Sequence, residues 1–130
     1  MSHSSHTLLT AIAVASVAFF PLVAFGDDGV AQAKMVRALT ESAQGKCAED
    51  IMSPLLADAC EQQLEQNRKL LAPLGKIVSA TFRGTQEMGN GMKAEAYRVE
   101  FERGTMMWLA SLDTTGKLLV LWSNAQIRPK

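Results

Sequence analysis

The chain has 130 residues, 48% of them hydrophobic, with 13 Lys plus Arg set against 13 Asp plus Glu, the make-up of one ordinary globular domain. Zero formal net charge and an isoelectric point near 6.7 remove the electrostatic grounds for a nucleic-acid binder or a polybasic membrane-surface protein.

The charges are unevenly placed, because none falls in residues 1–26. Leu8 to Phe20 is an unbroken run of 13 apolar or small residues, the length of a signal-peptide core. Ala24-Phe25-Gly26 then puts small residues at the two positions that signal peptidase reads. Cleavage is therefore expected after Gly26, leaving 27–130 as a single periplasmic or secreted domain with no membrane attachment. The segment before the run has no Lys or Arg, so its positive charge rests on the amino terminus, His3 and His6. The alternative is an uncleaved anchor over Leu8 to Phe25, 18 mostly apolar positions at the lower edge of a spanning helix. Pro21 suits a cleavage region better than a continuous span.

Cleavage would remove both histidines, which excludes histidine triads, histidine bases and histidine metal ligands from the mature domain. Cys47 and Cys60 are the two cysteines, an even pair in an exported chain, and the expected pairing is a disulfide. Its ring of about 15 residues is worth roughly 3 kcal/mol in the chain-entropy account. A metal pair or a catalytic thiol would need partners that the sequence does not supply. No metal or cofactor is expected.

Val30 to Gln44 carries Val30, Ala33, Met35, Val36, Leu39 and Ala43 at helical spacing, with Gly45 as a stop signal, and predicts a first helix. Ser53-Pro54 breaks the next stretch and suits a turn or a new helical start with proline at its first position. Asp58 three residues before Glu61 resembles a capping box, predicting a polar helix that opens there and ends before Pro73 and Gly75. Helices thus occupy about 29–72, and the disulfide ties the end of the first to the start of the last.

From Lys76 to about 123 the pattern alternates, with turn signals at Asn90-Gly91, Arg103-Gly104 and Asp113-Thr114-Thr115-Gly116, predicting four strands in three consecutive hairpins. As two-residue turns, the first two set Gly89 opposite Met92 and Glu102 opposite Thr105; a three-residue loop Thr114 to Gly116 sets Asp113 opposite Lys117. Followed across the sheet, these registers align Phe82, Val99, Trp108 and Trp122 in one row. Ala80, Phe101 and Met106 form a second row, and Gly84, Tyr97, Ala110 and Val120 a third, all on one continuous apolar face. The opposite face then sets Arg83 against Arg98 beside Leu109 and Leu121. That mixed patch reads either as ordinary surface, shielded by Glu100 and the C-terminal tail, or as an interface with a second copy or another protein.

Helices followed by a four-stranded antiparallel meander define an α+β architecture with a curved sheet around the helical layer. Leu71-Ala72-Pro73-Leu74-Gly75-Lys76, the run Tyr97 to Thr105, and Trp108 to Asp113 with Gly116-Lys117 together resemble small exported NTF2-like (cystatin-like) domains, of the SnoaL-related DUF3887 type. The resemblance covers about residues 50–123 and rests on turns and strand residues. It implies a cone-like sheet on helices, often with an apolar pocket and often with sheet-mediated dimers. Enzymatic members resemble ketosteroid isomerase and polyketide cyclases, which work with an acidic base and Tyr or His partners.

The pocket candidates on the inner face are Phe82, Tyr97, Trp108, Trp122 and Glu95, with core packing as the competing account of the aromatic residues. Met88 and Met92 flank the Asn90-Gly91 turn as an adaptable apolar lip, without the close methionine cluster that copper binding asks for. The favoured function is a non-enzymatic, periplasmic NTF2-like protein that binds a small apolar ligand or a protein, including itself. The alternatives are an inhibitor or immunity-type protein against a periplasmic toxin or hydrolase, and a cyclase or isomerase using Glu95 as base and Tyr97 as hydrogen-bond donor.

Overall fold

A computed structural model describes residues 29–124 and 126–130, and the account below concerns the unit Ala31–Lys130. The expected signal segment and its cleavage point after Gly26 lie outside the described residues. Two helices, α1 (Gln32–Ala43) and α2 (Pro54–Leu71), precede strands β1 (Ile77–Gly89), β2 (Met92–Phe101), β3 (Gly104–Leu112), β4 (Leu118–Trp122) and the short β5 (Arg128–Pro129). The fold is α+β, with the helices packed on an open antiparallel sheet of order β1-β2-β3-β4. β5 adds a fifth strand by pairing with β3.

The spacing of apolar residues explains how each helix docks. α1 buries Met35, Ala38, Leu39 and Ser42, a stripe at intervals of three and four that covers one side of a 3.6-residue turn. Ser53 caps α2, its Oγ accepting the Leu56 N–H at 3.2 Å, and Pro54 fills the first helical position, where no N–H is needed. This corrects the expected start at Asp58: both Asp58 and Glu61 lie inside α2. No breaker separates Pro54 from Asp58, so a helix capped at Ser53 propagates through that stretch.

Between the helices, Ser53 N donates to Leu118 O at 2.8 Å, and Met52 bridges Leu118, which ties the turn to β4. Cys47 and Cys60 form the disulfide, linking the segment after α1 to the second turn of α2. Arg37 on α1 strengthens the same corner with a two-pronged contact to Asp50 at 2.7 and 2.8 Å and a third bond to Glu41 at 2.7 Å. These bonds hold the Asp50 carboxyl below its ordinary pKa.

Two of the three expected turns form as the sequence predicts. Asn90 and Gly91 both take positive φ, 54° and 75°, as a tight turn of matching twist requires, and Gly89 faces Met92. Asp113 N donates to Lys117 O at 2.7 Å, and the Asp113 carboxylate accepts from Thr115 and Lys117 inside the loop.

The middle turn differs. Phe101 faces Gly104, so the turn residues are Glu102 and Arg103. Glu102 N donates to Lys76 O and Arg103 N to Leu74 O, each at 2.9 Å, clamping the turn against the entry to β1. Gly104 opens β3 in close quarters, where a Cβ would stand a tight 3.1 Å from both Leu74 and Ile127.

Irregularities within the strands then move the rows. Shifts near Gly89 and between Phe82 and Gly84 bring Phe82 opposite Tyr97, which in turn faces Trp108. Gly84 faces Ala96, while Ala80 faces Val99 and Val99 faces Met106. A shift between Ser111 and Leu112 sets Leu109 against Trp122 and Ala110 against Leu121, so Trp108 and Trp122 do not pair. One residue of slip exchanges the faces of a strand, and Leu121 accordingly packs against the core.

The core joins Met35 and Leu39 of α1 and Leu71 of α2 to Tyr97, Val99, Met106 and Leu118 of the sheet, all essentially inaccessible. Replacing both cysteines by serine is expected to cost about 3 kcal/mol and to lower the melting midpoint by roughly 12 to 24 °C, measured by circular dichroism. A midpoint unchanged by the double replacement would show that the ring contributes nothing to stability.

Candidate functional site: a groove between the second helix and the sheet

The structure divides the expected pocket residues into two groups. Glu95, Tyr97 and Phe82 belong to the interior beneath the start of α1. Glu95 is 9% exposed. Its Oε1 accepts the Ala31 N–H at 2.9 Å and the Tyr97 hydroxyl at 2.5 Å. Ala31 stands at the N-terminal boundary of α1, which has no side-chain cap of its own. A carboxylate from the sheet thus supplies both an acceptor and a negative charge where the helix presents unpaired N–H groups.

Burial and the adjacent Glu95 carboxylate both push the Tyr97 hydroxyl above the ordinary tyrosine pKa. Phe82 meets the Tyr97 ring edge-on at 5.9 Å between centroids. The three residues form a packed anchor.

Trp108 and Trp122 belong to a groove of about 730 Å³ between α2, α1 and the β3–β4 side of the sheet. Apolar surface comes from Leu39, Met52, Leu56, Leu70, Leu121 and Trp108, and Trp122 also borders the groove. Gln63, Gln66 and Asn67 add amide groups along α2. Trp108 is nearly buried, and its indole N–H has no hydrogen-bond partner among the described residues. Trp122, at the end of β4, is 55% exposed, an unusual setting for so large an apolar side chain.

The amides of α2 were not singled out in the sequence, although they carried a signal. Gln63, Gln66, Asn67 and Leu70 recur at helical spacing and place one continuous stripe along α2. The size and lining match a small-molecule site, in which a mostly apolar wall carries a few polar groups that fix orientation.

Of the interface candidates, Arg98 faces Thr81 and Met107, and Arg83 sits at the irregularity between Phe82 and Gly84, so the two arginines are not cross-strand partners. Leu109, 8% exposed, faces Ala96 and Trp122, whereas Leu121 lies with Ala110 and the groove. The expected row of all four residues is therefore broken by the displaced middle turn and by the irregularities in β1 and at Ser111/Leu112. Among the described residues no group of three His, Cys, Asp or Glu side chains could hold a metal ion, and no helix is long and apolar enough to cross a membrane.

No protein-family model, curated protein or solved structure matches the chain.

Tyr97 is the single tyrosine, so an ultraviolet titration of tyrosinate reads the anchor directly. A folded-state pKa raised above the unfolded value, about 10, contributes stability that is complete below that pH and lost as pH rises through the folded value. Tyrosinate is expected to appear only together with alkaline unfolding. Titration near pH 10 in a still-folded chain would contradict the buried bond. Glu95→Ala strands two buried donors and is expected to cost about 1–3 kcal/mol in denaturant melts.

Proposed function

We propose that this chain is a small exported, non-enzymatic binding protein, active in the periplasm or outside the cell, whose α2 groove takes a small, largely apolar ligand. The observation that carries the reading is the groove itself, about 730 Å³ with apolar walls from Leu39, Met52, Leu56, Leu70, Leu121 and Trp108 and amide groups along α2. Apolar wall of this kind gains free energy when an apolar partner covers it.

Export is supported by the charge-free apolar start of the chain and by the disulfide, which fits an oxidising compartment. An NTF2-like assignment draws on the order of the elements, helices first and then an antiparallel meander. A binding role is preferred to an isomerase because Glu95 and Tyr97, the only acid and phenol available together on the inner face, bond to each other and to the α1 backbone. Neither lines the groove.

Both tryptophans of the chain line the groove, so intrinsic fluorescence tests the proposal without a label. Titration with a set of fatty acids and aromatic acids is expected to give a saturable change in emission for at least one of them. Trp122→Ala is expected to weaken that ligand about tenfold, the equivalent of 1.4 kcal/mol. Unchanged emission across the set, with no bound small molecule on protein purified from its native compartment, would overturn the reading.

A further inference from the structure

The face of the sheet turned away from the helices carries a second groove, of about 850 Å³, walled on one side by Asn124, Gln126, Arg128, Pro129 and Lys130. Four cationic side chains line it, Arg83, Arg98, Arg128 and Lys130, against one acidic side chain, Glu100. Arg98 is paired with that carboxylate at 3.0 Å. Arg83, Arg128 and Lys130 have no carboxylate of the described residues within ion-pair distance. In a chain of zero formal net charge, this concentrates positive potential in one concavity, where like charges repel unless an anion enters.

The cations are held in place by the fold. Arg98 stands on β2, flanked by β1 and β3, and Arg83 stands on β1. Arg128 reaches the groove because β5 pairs with β3, Gly104 to Pro129 and Thr105 to Arg128. The space left by Gly104 is what admits Ile127 and the Arg128 backbone. From β1 to β5 the cations cross three strand intervals, about 14 Å, and step along the strands as well, Arg128 standing level with Glu100 and Arg83 level with Ala96 and Tyr97. A single small anion cannot meet both ends.

The geometry points to a docking site for an extended acidic segment of another protein. An extended chain presents same-side residues about 6.6 Å apart, so two or three acidic side chains span the set. The other lining residues distinguish a peptide from a bare polyanion. Thr85, Gln86 and Gln126 offer donors and acceptors to backbone amides, and Met107, 45% exposed, offers an apolar contact for which a sulfated or phosphorylated polymer has no use. This site is independent of the α2 groove and shares no lining residue with it.

The test is fluorescence anisotropy of a labelled peptide alternating glutamate with leucine, added to the purified protein at low and at physiological salt, with dextran sulfate as competitor. Saturable binding is expected, weakened about tenfold or more by Arg83→Glu with Arg128→Glu, since rim charges govern encounter and register. Both side chains are exposed, and a melt of the double variant checks that it folds. Lys46→Glu with Lys76→Glu makes the same change in net charge away from the groove and is expected to leave binding within about threefold. Equal loss in both pairs would overturn the proposal, as would absence of saturable binding. Dextran sulfate binding with the same dependence on Arg83 and Arg128, at concentrations where the peptide does not, would overturn it in favour of an anionic polysaccharide.

Discussion

One carboxylate oxygen holds the two layers of this domain in register. Glu95 Oε1 receives a backbone N–H from the entry of α1 and the hydroxyl of Tyr97, the latter buried beneath the helix. A buried anion is tolerable only where donors surround it, and a helix start with no cap of its own needs an acceptor. Each requirement meets the other. Two further bonds, from Gln32 to Ala80 O at 2.8 Å and from Lys34 to Gly116 O, pin the same helix to β1 and to the loop before β4. With α1 held at its first turn, Met35 and Leu39 fall on the sheet, and the α2 groove opens where the helical layer stops covering the far strands.

Features governed by neighbouring residues were legible in the sequence. Asn90-Gly91 specifies a turn through its need for positive φ, Asp113 specifies its loop through local hydrogen bonds, and Ser53-Pro54 specifies a helix start. The paired cysteines lie close enough in sequence for the ring to be read directly. What the sequence did not reveal depends on distant partners. The middle turn stands where it does with its N–H groups taken by the carbonyls of Leu74 and Lys76, and with Gly104 beside Leu74 and Ile127. No pattern within residues 99–108 contains that information.

The candidate site shows the same division. Trp108 and Trp122 were identifiable as large aromatics near the end of the sheet, but their relation turned on a strand irregularity beside Leu112. One extra residue sent Leu121 to the core side and took Trp122 out of the row with Trp108. Glu95 was visible as an acid on the inner face, while its burial depended on where α1 lands. The basic groove was the least legible, because one of its cations comes from a C-terminal strand too short to leave a periodic signal and another from the residue just past it.

The disulfide and the Glu95 anchor also differ in when they can form. Cys47 and Cys60 are 13 residues apart, and both lie ahead of the first strand. Ala31 and Glu95 are 64 residues apart. Closing the longer loop carries the larger entropic cost and needs β2 to be present. In any vectorial emergence from the N-terminus, the covalent ring can therefore close while the sheet has yet to appear. The helical corner can be fixed first, and the carboxylate contact completes the domain only after the second strand has arrived.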